Sequence, residues 1–226
     1  VLSYLYDPDG FFAENLRAAG VRRLVEGPSR LTGSAHAIEQ LAAPLASLGI
    51  PLAERAVSLA FGQSDREKRE VLAHPGSGSA AKNWLAEHWR QLAGKWLAQD
   101  DGLRLAIIGG EADGAPLAVL RDLAADQRVR LLENLPLPEL AGELGAARFY
   151  LGHDTGISHL AALCGTPSLL LFGPTDPAIW APPHSHVRVL RAPQGDLAAL
   201  AVDTVLRAAR RGHALASEPR RADTAS

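Results

Sequence analysis

Residues 150–180 read YLGHDTGISHLAALCGTPSLLLFGPTDPAIW, with two apolar runs around a group of small and ionisable residues. We predict a strand at 148–152, a helix at 157–164 and a buried strand at 168–172. A helix that starts directly after a strand presents unpaired N–H groups and a partial positive charge to the turn before it. The segment therefore predicts a strand–helix–strand unit whose turn can bind an anion.

The rest of the chain alternates short apolar runs with longer helical patterns, which is typical of a parallel sheet covered by helices on both faces. We therefore predict an α/β fold. Further strands are expected at 1–6, 21–25, from 70, 103–108, 129–132 and 187–190, and further helices at 9–19, 35–48, 86–98, 115–125, 137–145 and 197–209.

Three parts are expected along the chain: a partial N-terminal α/β domain at 1–62, a C-terminal α/β domain at 63–211 and a disordered tail at 212–226. The polar stretch 50–67 is interpreted as an inter-domain connection, with a solvated helix start as the equal alternative. The chain has no Met and begins with the apolar run VLSYLY. We interpret it as a piece of a longer protein or the product of a late start.

Composition excludes several classes of function. The formal net charge is −2 and aromatic residues make up 5%, so neither a basic surface nor a base-stacking surface for nucleic acid is expected. No apolar run reaches about 18 residues, so no transmembrane segment is predicted. The single cysteine, Cys164, permits no internal disulfide and fits a reducing compartment.

Ligands of open α/β sheets bind beyond the carboxyl ends of the strands, so the loops that follow the strands are the candidate site. Four such loops read HPGSGS, GGEAD, GHDTG and FGPTDP. In the first, glycines allow close backbone approach to an anion, Ser77 and Ser79 add hydroxyls, and Lys82 can reach a phosphate. A small-residue turn with an exposed lysine is the equal alternative.

The third loop is the stronger candidate for a diphosphate. Asp154, Thr155 and Gly156 stand where a strand turns into a helix, although Asp154 or Thr155 could simply cap that helix. His159 follows Thr155 by one helical turn and could bond a phosphate or a sugar. His153 has the weaker case and is expected to pack.

Glu111 follows a strand that ends in two glycines, which is where a carboxylate commonly accepts ribose hydroxyls. Asp113 competes for that role but is better interpreted as the N-cap of the next helix. Thr175 and Asp176 either contact the ligand or belong to a rigid loop at the pocket edge. The eight histidines are scattered, and no metal, Walker A or nucleophile-elbow motif is present, so neither a metal nor a cofactor is predicted.

Three segments together resemble glycosyltransferase family 9, the lipopolysaccharide heptosyltransferase family: HPGSGSAAKNW, IIGGEAD and YLGHDTGISHLAALCGTPSLLLFGPTDPAIWAP. The resemblance covers residues 71–193. It implies a GT-B fold of two Rossmann-like domains, the N-terminal one incomplete, and an inverting, metal-independent transfer. The donor would be an ADP-heptose or a related ADP-sugar, and the acceptor lipid A–Kdo or another glycan.

The resemblance also assigns roles to individual residues. Lys82 would contact the donor phosphates with Ser77 and Ser79 nearby, and Glu111 would hold the ribose. The diphosphate and sugar would be bound by the turn that contains Asp154, Thr155, Gly156 and His159.

In the resembled family an aspartate near the N-terminus deprotonates the acceptor. That segment is expected to be absent here, and Asp7 and Asp9 do not match its motif, so the catalytic residue is left unassigned. Two alternatives remain: a non-catalytic sugar-nucleotide-binding module, and a GT-B-like epimerase or hydrolase. The resemblance implies a cytoplasmic protein, either free or associated with the cytoplasmic face of the inner membrane.

Overall fold

The computed structural model describes residues 1–59 and 70–216. The predicted domain boundary between residues 62 and 63 lies outside these ranges and stays a prediction. The same holds for residues 60–67 of the predicted connection and for the tail beyond residue 216. Contacts divide the chain into two compact units, Val1–Arg55 with Ala178–Trp180 and Ala56–Pro177 with Ala181–Ser226.

The first unit begins with two short parallel strands, in which Leu2 pairs with Val25. Both strands are much shorter than the apolar runs predicted. Asp7 accepts hydrogen bonds from the amides of Phe12 and Ala13, so its carboxylate caps the first helix. The elements of this part are β1 (Leu2–Ser3), α1 (Phe11–Ala18), β2 (Val25–Glu26) and α2 (Ala37–Ala42).

The helix predicted at 35–48 divides into two parts. Its α-helical part, α2, ends at Ala42, and the chain continues as a 3₁₀ helix over Ala43–Leu48. Pro44 accounts for the change, because proline has no N–H and its ring clashes with the carbonyl one turn earlier. Gly49 then ends the segment in a left-handed conformation, with φ of 74°.

The second unit is built on a six-stranded sheet in the order β5-β4-β3-β6-β7-β8, and every described strand pair in it is parallel. The predicted α/β class with a parallel sheet is confirmed. From Glu70 onward the elements are β3 (Glu70–Ala73), α3 (Ala86–Gln99), β4 (Arg104–Gly109), α4 (Gly114–Leu120), β5 (Val129–Glu133), α5 (Leu137–Ala146), β6 (Phe149–His153), α6 (Gly156–Leu163), β7 (Ser168–Phe172), α7 (Pro177–Trp180), β8 (Val187–Arg191) and α8 (Val202–Leu215). Of these, α7 is assigned to the first unit except for Pro177.

The strand order reverses at β3. The chain proceeds from β3 to β4 and β5 on one side, then returns to place β6 on the other side of β3. Val71 pairs with Leu105 of β4 and with Phe149 of β6. Such a reversal opens a crevice at the carboxyl ends of the two strands, which is where ligands of doubly wound sheets bind.

The core lies between the central strands and the helices that cover them. On α3, Trp89, Leu92, Trp96 and Leu97 are all at most 5% exposed, and their spacing puts them along one side of the helix. β8 forms an edge of the sheet and carries exposed residues. Within the described residues, none of the helices has the length and apolarity needed to cross a bilayer.

The closing helix differs from the prediction at both ends. A single 3₁₀ turn occupies Leu197–Ala199, and α8 starts only at Val202. Leu200 between them is extended, and its carbonyl accepts the indole N–H of Trp84 at 2.9 Å. α8 then runs to Leu215, so the first four residues of the predicted disordered tail are helical.

A substitution at Gly212 tests the packing of the last turns of α8 against Phe149. A Cβ at this position would lie 2.6 Å from the ring of Phe149, which is itself 1% exposed. We expect Gly212→Ala to lower the free energy of unfolding by about 1–3 kcal/mol in urea denaturation, despite the better helix propensity of alanine. The matched control is Gly94→Ala on α3, where nothing lies within 4 Å and a gain of about 0.5–1 kcal/mol is expected. Equal effects of the two substitutions would contradict this packing.

Candidate active site

A cavity of about 310 Å³ lies at the carboxyl edge of the sheet, across the ends of β4, β3 and β6 and the loop after β5. Three of the four candidate loops, HPGSGS, GGEAD and GHDTG, thus contribute residues to this cavity. Its lining consists of His74, Ser77, Gly78, Ile108, Gly109, Gly110, Ala112, Asp113, Leu132, Asn134, Leu135, Leu137, Leu140, Thr155, Gly156 and Ile157.

One part of the cavity is apolar. Ile108 at the end of β4, Leu132 on β5 and Leu140 on α5 contribute aliphatic side chains to it, and Ile157 adds another from α6. Small-molecule sites typically combine such apolar walls with a few placed polar groups. The cavity can therefore cover the faces of a flat ring while its polar rim contacts charged groups.

The loop after β3 supplies part of that rim. The hydroxyl of Ser77 donates to the carbonyl of Ser79 at 2.7 Å and accepts from the Ser79 amide at 3.2 Å. Ser77 lines the cavity and is 9% exposed, whereas Ser79 is exposed and outside the lining. Of the two predicted serines, only Ser77 has its hydroxyl engaged in shaping the loop.

Lys82 and Asp154 meet beside the cavity. The Lys82 ammonium donates to a carboxylate oxygen of Asp154 at 3.1 Å and to its carbonyl oxygen at 3.3 Å. The Asp154 side chain is 8% exposed and that of Lys82 is 33% exposed. The structure thus brings together two residues that the sequence assigned to the same site from loops 72 residues apart.

The turn into α6 contains the other predicted anion-binding residues. Thr155 is the N-cap, and its hydroxyl accepts from the Ser158 amide at 3.3 Å. Thr155 and Gly156 both line the cavity. The capping alternative is therefore correct for Thr155, and it is compatible with binding because the first amides of a helix have no partner within the helix.

A buried hydroxyl network supports this turn from below. The phenol of Tyr150 and the hydroxyl of Ser158 are 3.1 Å apart, and Ser158 donates to the carbonyl of His153. Burial raises the pKa of Tyr150, so its phenol stays protonated. A Cβ on Gly152 would lie 2.3 Å from the phenol oxygen, which requires glycine at that position.

The two remaining predicted residues lie at the periphery. Glu111 is exposed, in a 3₁₀ turn between the cavity-lining residues Gly110 and Ala112. His159 is half-buried on α6, and its amide bonds the Thr155 carbonyl at 3.3 Å, which puts it one turn beyond the cap as predicted. The binding roles of all these residues stay predictions.

Asp113 occupies the predicted N-cap position of α4, but its carboxylate does not cap that helix. It accepts from the Gly110 amide at 2.8 Å and from Nε2 of His74 at 3.1 Å, and it is 5% exposed. Burial by itself raises the pKa of Asp113, but the hydrogen bonds from His74 and Gly110 hold the pKa below its usual value. Asp113 thus holds the predicted N-cap position of α4, but its carboxylate bonds the Gly110 amide and His74 instead of the amides of that helix.

Asp113 also explains a glycine. A Cβ on Gly76 would lie 1.7 Å from a carboxylate oxygen of Asp113. The loop after β3 can therefore come this close to Asp113 only because residue 76 is a glycine. Asp113 therefore joins the loops that follow β3 and β4. The sequence did not show this, because His74 and Asp113 are 39 residues apart.

The loop after β5 was overlooked in the sequence. Asn134 lines the cavity with a positive φ of 55°, and its amide donates to the Gly109 carbonyl at 2.9 Å. The rule that strand ends carry the site would have found it, since a strand was predicted at 129–132. The FGPTDP loop after β7, by contrast, supplies none of the described lining residues.

Residues 1–59 and 70–216 contain no group of three or more His, Cys, Asp or Glu side chains placed to hold a metal ion. The charged groups of the site are instead the Lys82–Asp154 pair and the buried Asp113. What the arrangement can offer an anion is an ammonium group and the amides at the start of α6.

The sheet order and the cavity at its reversal are typical of α/β proteins with a nucleotide site at the switch point. Residues 17–207 match the family model described as glycosyltransferase family 9 (heptosyltransferase). The chain belongs to glycosyltransferase family 9. The resemblance seen in the three sequence segments is confirmed.

Among curated proteins, lipopolysaccharide heptosyltransferase 1 of Escherichia coli O18:K1:H7 (strain RS218 / NMEC) is 34% identical over 124 residues. That alignment covers 55% of this chain and 37% of the relative. This chain thus matches well under half of the relative's length.

Solved structures give the same picture. E. coli ADP-heptose lps heptosyltransferase II matches with a TM-score of 0.74 at 19% identity, over 96% of this chain and 76% of that one. E. coli heptosyltransferase WaaC with ADP-2-deoxy-2-fluoro heptose matches with a TM-score of 0.64 at 26% identity, over 81% and 58%. The predicted GT-B type of α/β fold is confirmed by these neighbours.

Asp113→Asn tests the buried link between the loops. We expect the substitution to lower the free energy of unfolding at pH 7 by about 1–3 kcal/mol, because it weakens hydrogen bonds to a buried charge. The folded pKa is below the unfolded value of about 3.9, so this stabilisation is fully present above that value and is lost as pH falls through the folded pKa. Urea unfolding at pH 7, 5, 4 and 3 should therefore show that the difference in free energy of unfolding between the parent and Asp113→Asn becomes smaller only at the lowest pH values.

The control is Asp203→Asn, which alters an exposed pair with Lys95 and should change stability by less than about 0.5 kcal/mol. The loss of free energy of unfolding in Asp113→Asn could instead stay constant down to pH 3, or be as small as that of the control. Either result would show that the ionised carboxylate is not the stabilising group.

Proposed function

We propose that this chain forms the donor side of a glycosyltransferase that moves heptose or a related sugar from an ADP-sugar to a lipopolysaccharide inner-core acceptor. The acceptor would be lipid A–Kdo or a similar glycan, at the cytoplasmic face of the inner membrane. Family membership and the heptosyltransferase relatives support this assignment.

The observation that carries the proposal is the meeting of Lys82, Asp154 and the start of α6 beside a cavity with apolar walls. An ADP-sugar has the matching sequence of groups: a flat base, a ribose, a diphosphate and a polyhydroxylated sugar. The solved WaaC complex with ADP-2-deoxy-2-fluoro heptose supports this class of donor.

In the proposed arrangement the adenine lies between the aliphatic side chains of the cavity, including Ile108 and Leu132. The ribose lies toward Gly110, with its hydroxyls within reach of the exposed Glu111. Ordering the donor this way directs its diphosphate toward β6 and α6, because β4 and β6 flank β3 on opposite sides.

The diphosphate would contact the amides of Gly156 and Ile157 and the ammonium of Lys82, while the Ser77 hydroxyl, whose proton goes to the Ser79 carbonyl, keeps the loop in shape. Helix amides and a lysine provide fixed positive charge for an anion. Asp154 holds Lys82 in place through their hydrogen bond. Its carboxylate can also accept hydrogen bonds from the hydroxyl groups of the sugar, and His159 lies one helical turn further along α6.

This arrangement suits transfer without a metal ion. Cleavage of the anomeric C–O bond leaves negative charge on the departing diphosphate, and preorganised donors stabilise such charge in the transition state. We propose a single displacement in which the acceptor oxygen bonds to the anomeric carbon from the face opposite the diphosphate as the C–O bond to the departing ADP breaks. The acceptor hydroxyl proton goes to a general base, which is the residue left unassigned in the sequence. Such a displacement inverts the configuration at the anomeric carbon.

Lys82→Ala tests the donor site. Loss of a charge-assisted hydrogen bond of roughly 1.5–3 kcal/mol should weaken ADP binding by about 10- to 100-fold in isothermal titration calorimetry. The matched control is Lys95→Ala, which removes an exposed lysine paired with Asp203 and should leave the affinity unchanged. Both titrations are to be run with EDTA, which should not weaken binding to the parent protein.

Equal ADP affinity for Lys82→Ala and the parent would remove Lys82 from the donor site. Loss of binding in EDTA would contradict the metal-free arrangement. Binding of ADP-heptose without release of ADP in the presence of acceptor would favour the alternative of a non-catalytic sugar-nucleotide-binding module.

A further inference from the structure

The loop between β3 and α3 carries Lys82, so its shape decides where the ammonium lies. At its start, Gly76 packs directly against the carboxylate of Asp113. At its end, the Trp84 side chain is 1% exposed and its indole N–H bonds the Leu200 carbonyl. The residues between these two fixed points are mostly small.

His153 connects the two ends of this loop. Nε2 of its ring accepts the backbone N–H of Trp84 at 2.9 Å, and Nδ1 lies 3.3 Å from the carbonyl oxygen of Gly76. A backbone amide can only donate and a carbonyl can only accept. The imidazole must therefore carry its single proton on Nδ1, with both ring nitrogens engaged by the same loop.

The surroundings keep this imidazole neutral. His153 is 0% exposed, and its ring packs edge-on against Trp89 with 5.4 Å between centroids. Burial lowers the pKa of His153 to about 3; the Gly76 carbonyl and the charge of Asp113 oppose this effect, while His74 reinforces it. A neutral ring is required, because a second proton on Nε2 would face the Trp84 N–H.

The next residue on the chain is Asp154, which binds the Lys82 ammonium through its carboxylate and its carbonyl. Two consecutive residues at the end of β6 thus hold the loop at its start, at its end and at its lysine.

We propose that His153 is a positioning residue for the donor site. It acts as a clamp that closes the Gly76–Trp84 loop and thereby sets the place of Lys82 relative to the start of α6. This role rests on the proposed function, since the loop is positioned for a sugar nucleotide.

Two substitutions each remove one half of the clamp. In His153→Asn the side-chain amide can still donate to the Gly76 carbonyl, but no acceptor reaches the Trp84 amide. In His153→Gln the longer side chain can accept from Trp84, while the donor to Gly76 is lost. Each should weaken ADP binding roughly 2- to 10-fold in calorimetry, as expected for one neutral hydrogen bond.

The control is His184→Gln. His184 is also buried, at 9% exposure, but its Nε2 bonds the Val57 carbonyl and not the loop. Its substitution should leave the ADP affinity within twofold of the parent. Parent-like affinity for both His153 variants would overturn the proposal.

A double-mutant cycle separates positioning from general stability. If His153 acts through Lys82, His153→Asn should change the affinity less than twofold in a Lys82→Ala background. The same fold-change in both backgrounds would show that His153 does not act through the lysine and would overturn the proposal.

Two further measurements use the parent protein alone, so they do not depend on whether a variant folds. Amide hydrogen exchange should show Trp84 protected to the level of the central strands, and ¹⁵N spectra of the histidines should show His153 as the Nδ1–H tautomer. A fast-exchanging Trp84 amide or the Nε2–H tautomer would overturn the clamp. Absence of ADP binding to the parent would refute the donor proposal alone, since these two readouts do not involve ADP.

Discussion

The pairing of β3 with β6 is the constraint on which the rest of the site depends. It places side by side two strand ends that are far apart in sequence, so that Lys82 meets Asp154 across 72 residues and Trp84 meets His153 across 69. Because β4 pairs with the other side of β3, the same edge also receives the Gly110–Asp113 turn. The register of three strands thus fixes the relative places of all the charged groups in the site.

These groups are joined by short contacts between buried atoms. Asp113 holds the Gly110 amide and His74, and Gly76 touches the same carboxylate. Buried polar groups are costly when unpaired, so each of these contacts excludes alternative arrangements of the loops. In the proposed donor site, loops fixed in this way would need little rearrangement to bind a diphosphate, which is the condition for electrostatic stabilisation of a developing charge.

The fold was largely predictable, because its signals are local. Short apolar runs located the strands of the second unit, and a longer helical pattern at 86–98 located α3. The errors arose where tertiary contacts outweigh local preference. The last predicted helix is interrupted at Leu200, whose carbonyl accepts a hydrogen bond from the indole N–H of Trp84. β1 is also far shorter than the strand predicted at 1–6.

The candidate site was predictable to the level of loops but not of pairings. The rule that ligands bind at strand ends selected Lys82, Asp154 and Thr155, which the structure places together. It could not reveal that Asp113 faces His74 or that His153 faces both Gly76 and Trp84. Those partners depend on the order of the strands in the sheet. Residue patterns along a single sequence do not reveal that order.

The contact between Tyr150 and Gly152 restricts how this site can evolve. Any side chain at 152 would occupy the place of the phenol oxygen at 150, so a change at 152 requires an earlier or simultaneous loss of that hydroxyl. Losing it would also remove one buried partner of Ser158 in the first turn of α6, leaving the hydrogen bond to the His153 carbonyl. The two positions are therefore expected to vary as a pair, and single-step mutational paths through position 152 are closed while the tyrosine is present.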